Sequence, residues 1–101
     1  MKKRLVLAAL LAGTLAAGSA YASPCDSFMC MAGKVQGGAG SSCNSAINDF
    51  FGIIKWHHGH LDKGATSDAR RSFLKQCPGT DQPANAAMID TIISQFGAVQ
   101  L

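Results

Sequence analysis

The sequence predicts an all-α domain: a small bundle of about four short helices, stapled by disulfides and preceded by a cleaved signal peptide. Three observations predict it. Four segments carry apolar residues at helical spacing and are separated by Gly- or Pro-containing turns. No segment shows the period-two alternation of a half-buried strand. All 4 cysteines follow an apolar leader, at Cys25, Cys30, Cys43 and Cys77. An even cysteine count in a short exported chain is most simply read as disulfides.

The leader is Met1 to Ala22. Lys2-Lys3-Arg4 is a positive end, Leu5 to Ala12 is an unbroken apolar run, and Ala20-Tyr21-Ala22 is a small-x-small triplet suited to a signal peptidase. Cleavage is expected between Ala22 and Ser23, leaving residues 23–101 as one domain in the periplasm. Gly13, Thr14, Gly18 and Ser19 weaken the second half of the run as a membrane anchor. Pro24 directly before Cys25 argues against a lipid-modified cysteine.

Removing the leader changes the charge. The whole chain is +3. Beyond Ala22 the basic residues are Lys34, Lys55, Lys63, Arg70, Arg71 and Lys75, and they balance Asp26, Asp49, Asp62, Asp68, Asp81 and Asp90. A neutral domain lacks the cationic surplus that phosphate neutralisation requires, so nucleic-acid binding is not expected. So short a chain buries little apolar surface, and each disulfide typically adds ~2–4 kcal/mol. Three pairings are open to four cysteines. The favoured one is Cys25–Cys77 with Cys30–Cys43, tying the N-terminus to the late helices and closing the Gly-rich loop.

The first helix is expected over 26–33, burying Phe28, Met29 and Met31, with Gly33 as its terminator. A loop follows over 35–42, rich in glycine at 37, 38 and 40. The second helix is expected over 44–57, where Ile47, Phe50, Phe51 and Ile54 form one stripe. Ser42 or Asn44 would cap it, and Gly52 lies inside it at a cost of roughly 1 kcal/mol. The third, over 67–76, takes Thr66 as cap and Asp68 in its first turn. Its stripe is Ala69, Phe73 and Cys77, widened by Leu74, with Arg70, Arg71 and Lys75 on the other side and Pro78-Gly79 as the stop. The fourth, over 83–96, takes Asp81 as cap, buries Ala84, Met88, Ile89, Ile92, Ile93 and Phe96, and ends at Gly97.

Few residues suggest chemistry. His57, His58 and His60 could present imidazoles to zinc or copper. There is no H-E-x-x-H pattern, the chain has no glutamate, and the expected position is a helix end and the turn after it. They read as an exposed cluster, and no metal or other cofactor is expected. The six aspartates fall mostly at caps and turns, unlike the paired carboxyls of a glycosidase. The cysteine spacing suits neither zinc nor a C-x-x-C redox motif. Gly37-Gly38-Ala39-Gly40 lacks the lysine of a phosphate loop. Met29 and Met31 face different sides of a helix and are expected in the core. No catalytic set is expected. The candidate partner surface is Arg70, Arg71, Lys75 and Trp56, and apolar residues in excess of a small core, such as Met29, Met31 and Trp56, could contribute to it.

The order of these blocks is specific. Pro24-Cys25 is followed by Cys30-Met31-Ala32-Gly33-Lys34-Val35-Gln36-Gly37, then Cys43 and Phe50-Phe51-x-Ile53. Ala65-Thr66-x-x-Ala69-Arg70-x-x-Phe73-Leu74-x-x-Cys77-Pro78-Gly79 completes the pattern. In this combination the chain resembles the TrbM/KikA family of plasmid conjugal transfer proteins, over Pro24 to Gly79. The resemblance implies a periplasmic accessory protein of a type IV secretion or mating-pair apparatus, whose partners are other protein components of that apparatus. It supplies no catalytic residues. The resulting expectation is a non-enzymatic interaction module. The alternatives are a small cell-wall-acting enzyme and, because some relatives are named for host killing, a toxin-like protein.

Overall fold

The computed structural model describes residues 23–101; the expected leader and the bond between Ala22 and Ser23 that would be cleaved lie outside or at the edge of the described residues. Four α-helices carry the fold: α1 (Pro24–Val35), α2 (Asn44–Phe51), α3 (Lys63–Lys75) and α4 (Pro83–Phe96). Between α2 and α3 lies a small antiparallel hairpin, β1 (Trp56–His57) and β2 (His60–Leu61). The all-α, disulfide-stapled bundle is what forms. No described helix is long and apolar enough to cross a membrane.

Helix α1 starts two residues earlier than the periodicity suggests, because Ser23 makes a capping box. Its Oγ accepts from the Asp26 N–H at 3.1 Å, and the Asp26 carboxylate accepts from the Ser23 N–H at 3.3 Å. It also runs past Gly33. The stop is Gly37, at φ +80°, where the Gly38 N–H reaches the Gly33 carbonyl at 2.8 Å and the Gly37 N–H that of Lys34 at 3.0 Å. That pattern is a Schellman closure, which glycine accommodates without Cβ strain. Phe28 and Met31 are buried, but Met29 is 68% exposed, correcting its expected place in the core.

Helix α1 is the hub, packing against α2, α3 and α4. Cys25 in its first turn is bonded to Cys77 after α3, and Cys30 in its middle to Cys43 ahead of α2. Around it, Phe28, Met31, Phe50, Phe51, Leu74, Ile89 and Ile92 form one apolar cluster. Phe51 meets the rings of Phe50 and Phe96 edge-on, at centroid distances of 5.1 and 6.0 Å. The Ser27 hydroxyl, fully buried, donates to the Ala46 carbonyl at 2.9 Å and sets the α1–α2 register.

The three later helices also depart from the sequence reading. Helix α2 ends at Phe51 rather than near His57, and Gly52 is its C-cap instead of an interior residue. Its start is led in by a 3-10 turn over Ser41–Cys43, with no side-chain cap from Ser42 or Asn44. Helix α3 begins at Lys63, capped by the Asp62 carboxylate accepting from the Ala65 N–H at 2.9 Å, so Thr66 is not a cap. Its inward face is Thr66, Arg70 and Leu74, one residue round from the expected Ala69–Phe73 stripe. Helix α4 keeps its expected bounds, but Asp81 does not cap it and Ala84 is exposed. The Asn85 side chain instead donates to the Gly79 carbonyl at 3.0 Å.

Candidate functional site

The largest departure concerns Arg70. It was expected on a solvated partner face, and it is fully buried. Its Nε donates to the Ile53 carbonyl at 3.0 Å and its Nη2 to that of Phe51 at 3.2 Å. Its Nη1 donates to Phe96 and Val99, both at 2.7 Å, and more distantly to Gly97 at 3.3 Å. These carbonyls end or follow the last turns of α2 and α4. Each helix C-terminus carries roughly half an elementary negative charge, so two together answer one guanidinium. Stacking completes the seat, with the guanidinium carbon 5.2 Å from the centroids of both Phe50 and Phe51. Burial lowers the Arg70 pKa, yet an arginine so held stays protonated.

This node positions the exposed hairpin. Ile53 is held by Arg70, and two residues on the Lys55 N–H donates to the Thr66 hydroxyl at 2.9 Å. The Lys55 carbonyl accepts from the Asp62 N–H at 2.8 Å, closing the base of the hairpin. Side chains on α3 thus take the backbone groups that would otherwise have continued α2. Trp56 pairs with Leu61 and His57 with His60. His58 (φ +50°) and Gly59 (φ +79°) form the two-residue turn, both in the left-handed region that a type I′ hairpin needs.

Residues 55–60 are all exposed, Trp56 by 58%. His57 and His58 stack, with ring centroids 4.0 Å apart and planes 25° from parallel. Of the other candidate surface residues, Lys75 is exposed, while Arg71 is half-buried and ion-paired with Asp90 across the α3–α4 face. Arg70, Arg71, Lys75 and Trp56 therefore do not make one patch: Arg70 leaves it for the interior, and Trp56 belongs to the hairpin.

The remaining chemistry-bearing groups have structural uses. All four cysteines are in disulfides. Asp26 and Asp62 cap helices and Asp90 pairs with Arg71. The Thr80 hydroxyl, buried, donates to the carbonyls of Cys77 and Lys75 and closes the end of α3. Among the described residues no three His, Cys or acidic side chains gather as a metal site. An open depression of about 350 Å³ lies beside the Gly-rich loop, lined by Lys34, Gly37, Ala39, Gly40, Asn44 and Ile47. The Lys34 ammonium lies 5.6 Å from the centre of the Phe96 ring.

Sequence reasoning missed Arg70 because arginine is seldom fully buried, and its neighbour Arg71 made a cationic face the natural reading. One signal was available: Thr66, Arg70 and Leu74 recur at i, i+4 and i+8, a valid inward stripe if Arg70 is allowed into it.

A family model described as TrbM matches residues 15–100. No curated protein and no solved structure matches the chain.

Proposed function

The chain belongs to the TrbM family, and from that membership we propose that it is a periplasmic accessory protein of plasmid conjugal transfer. In this reading it is exported, cleaved after Ala22, and acts as a non-enzymatic interaction module within the mating-pair apparatus. The family match over residues 15–100 carries the proposal. Two physical features support it. Two disulfides suit a small domain working in an oxidising compartment. The hairpin offers a single large aromatic, Trp56, on a projection whose base is hydrogen-bonded to α3, and tryptophan is among the residue types most enriched where binding energy concentrates. Lys55, Lys63 and Lys75 are further exposed cations from which a partner contact would draw.

The test is genetic and then local. Deleting the reading frame from its plasmid should lower transfer to recipients, and the intact gene supplied in trans should restore it. Trp56→Ala should fold normally, because its side chain is outside the core, and should restore transfer at least tenfold less well. Full transfer without the gene under all mating conditions would refute the proposal. Full rescue by Trp56→Ala would remove the hairpin from it.

A further inference from the structure

We propose that His57 and His60 form a two-imidazole site for a divalent late first-row transition ion, copper(II) above all. At a helix end and the turn after it, as the sequence suggests, these residues would share no defined geometry. The hairpin gives them one. The Asp62 N–H to Lys55 carbonyl bond marks residues 55 and 62 as a hydrogen-bonded pair. Antiparallel pairs alternate, so Trp56 and Leu61 are the intervening pair and His57 and His60 are hydrogen-bonded in turn. Such partners have Cα atoms ~5.5 Å apart and side chains on the same face. The two-residue turn through His58 and Gly59 fixes this register, because a one-residue slip would abolish the positive-φ match.

The donor set selects the ion. The segment from Phe50 to Leu61 contains no carboxylate, and the Asp62 carboxylate is engaged by the Ala65 N–H. Oxygen-seeking calcium and magnesium therefore find no ligands here, while imidazole nitrogen suits copper, nickel and zinc, with copper(II) bound most tightly of the divalent series. His57 rests against His58 in the free protein, and all three rings are exposed, so His57 can leave that stack to share an ion with His60 without disturbing the core. With two protein donors, the remaining coordination positions fall to water or to a donor from another molecule. The site is independent of any role in transfer.

The chain has 1 tryptophan, and it is the neighbour of His57. Copper(II) added to the disulfide-bonded protein should therefore quench Trp56 emission, saturating at one ion per chain. His57→Ala and His60→Ala should each weaken binding by about tenfold or more, while His58→Asn, outside the facing pair and suited to the left-handed turn position, should change it less than about threefold. Circular dichroism should show all three variants as helical as the parent. Absence of saturable quenching would overturn the proposal. So would equal losses from His58→Asn and His60→Ala, since that pattern belongs to an unstructured histidine tract.

Discussion

Arg70 holds a full positive charge in the interior against main-chain oxygens at the ends of two helices. Its removal leaves five carbonyls without their donor in a partly buried setting, so much of their desolvation penalty is felt. Arg70→Ala should lower unfolding stability by ~3–5 kcal/mol, read from the urea midpoint, and Arg70→Lys should recover only part of it because an ammonium has no planar fork. The adjacent arginine behaves oppositely. Arg71 meets Asp90 with side chains 34% and 69% exposed, so solvent screens the pair and Arg71→Ala should shift stability by no more than ~1 kcal/mol. Gly97 is a second sensitive position. A Cβ there would stand 2.5 Å from the Ile93 carbonyl oxygen and 2.8 Å from the Ser67 Oγ, where α4 closes on α3. Gly97→Ala should cost ~1–3 kcal/mol by the same denaturation assay.

At the scale of elements, the four helices were legible and the hairpin was not. Periodicity located α4 to the residue, since the outside donor to its backbone, Arg70, takes only carbonyls at and beyond its last residue. The same pattern ran too far in the second helix, because Ile54 fits a helical stripe yet the groups that decide its backbone belong to α3. Thr66 holds Lys55 and Arg70 holds Ile53, eleven and seventeen residues away. Long-range partners of this kind leave no local mark, and the His-Gly turn is a weaker hairpin signal than Asn-Gly. Three histidines at a helix end and in the turn after it would be unrelated, whereas the hairpin pairs His57 with His60. The Gly59 backbone, at φ +79°, makes the element testable by itself. Gly59→Ala should speed amide hydrogen exchange at Asp62, whose N–H closes the hairpin base, by about fivefold (~1 kcal/mol), with amides of α1 and α4 unchanged.

Across the whole molecule, the two disulfides divide the work unequally. Cys25–Cys77 spans 52 residues and joins α1 to the end of α3, whereas Cys30–Cys43 spans 13 and pins the Gly-rich loop. Loop-closure entropy assigns about 4 kcal/mol to the first and about 3 kcal/mol to the second. With a core of seven buried apolar side chains among the described residues, either loss is a large share of a small domain's stability. The paired variant C25S/C77S should therefore unfold at lower urea than C30S/C43S. The account as a whole rests on export and oxidation of this chain, which together give the helices their staples and the hairpin its access to partners. Intact-mass and non-reducing peptide analysis of the protein recovered from plasmid-bearing donor cells tests that most directly. The account predicts a periplasmic chain beginning at Ser23, with Cys25 joined to Cys77 and Cys30 to Cys43. A cytosolic chain beginning at Met1, folded and with all of its cysteines as thiols, would contradict it.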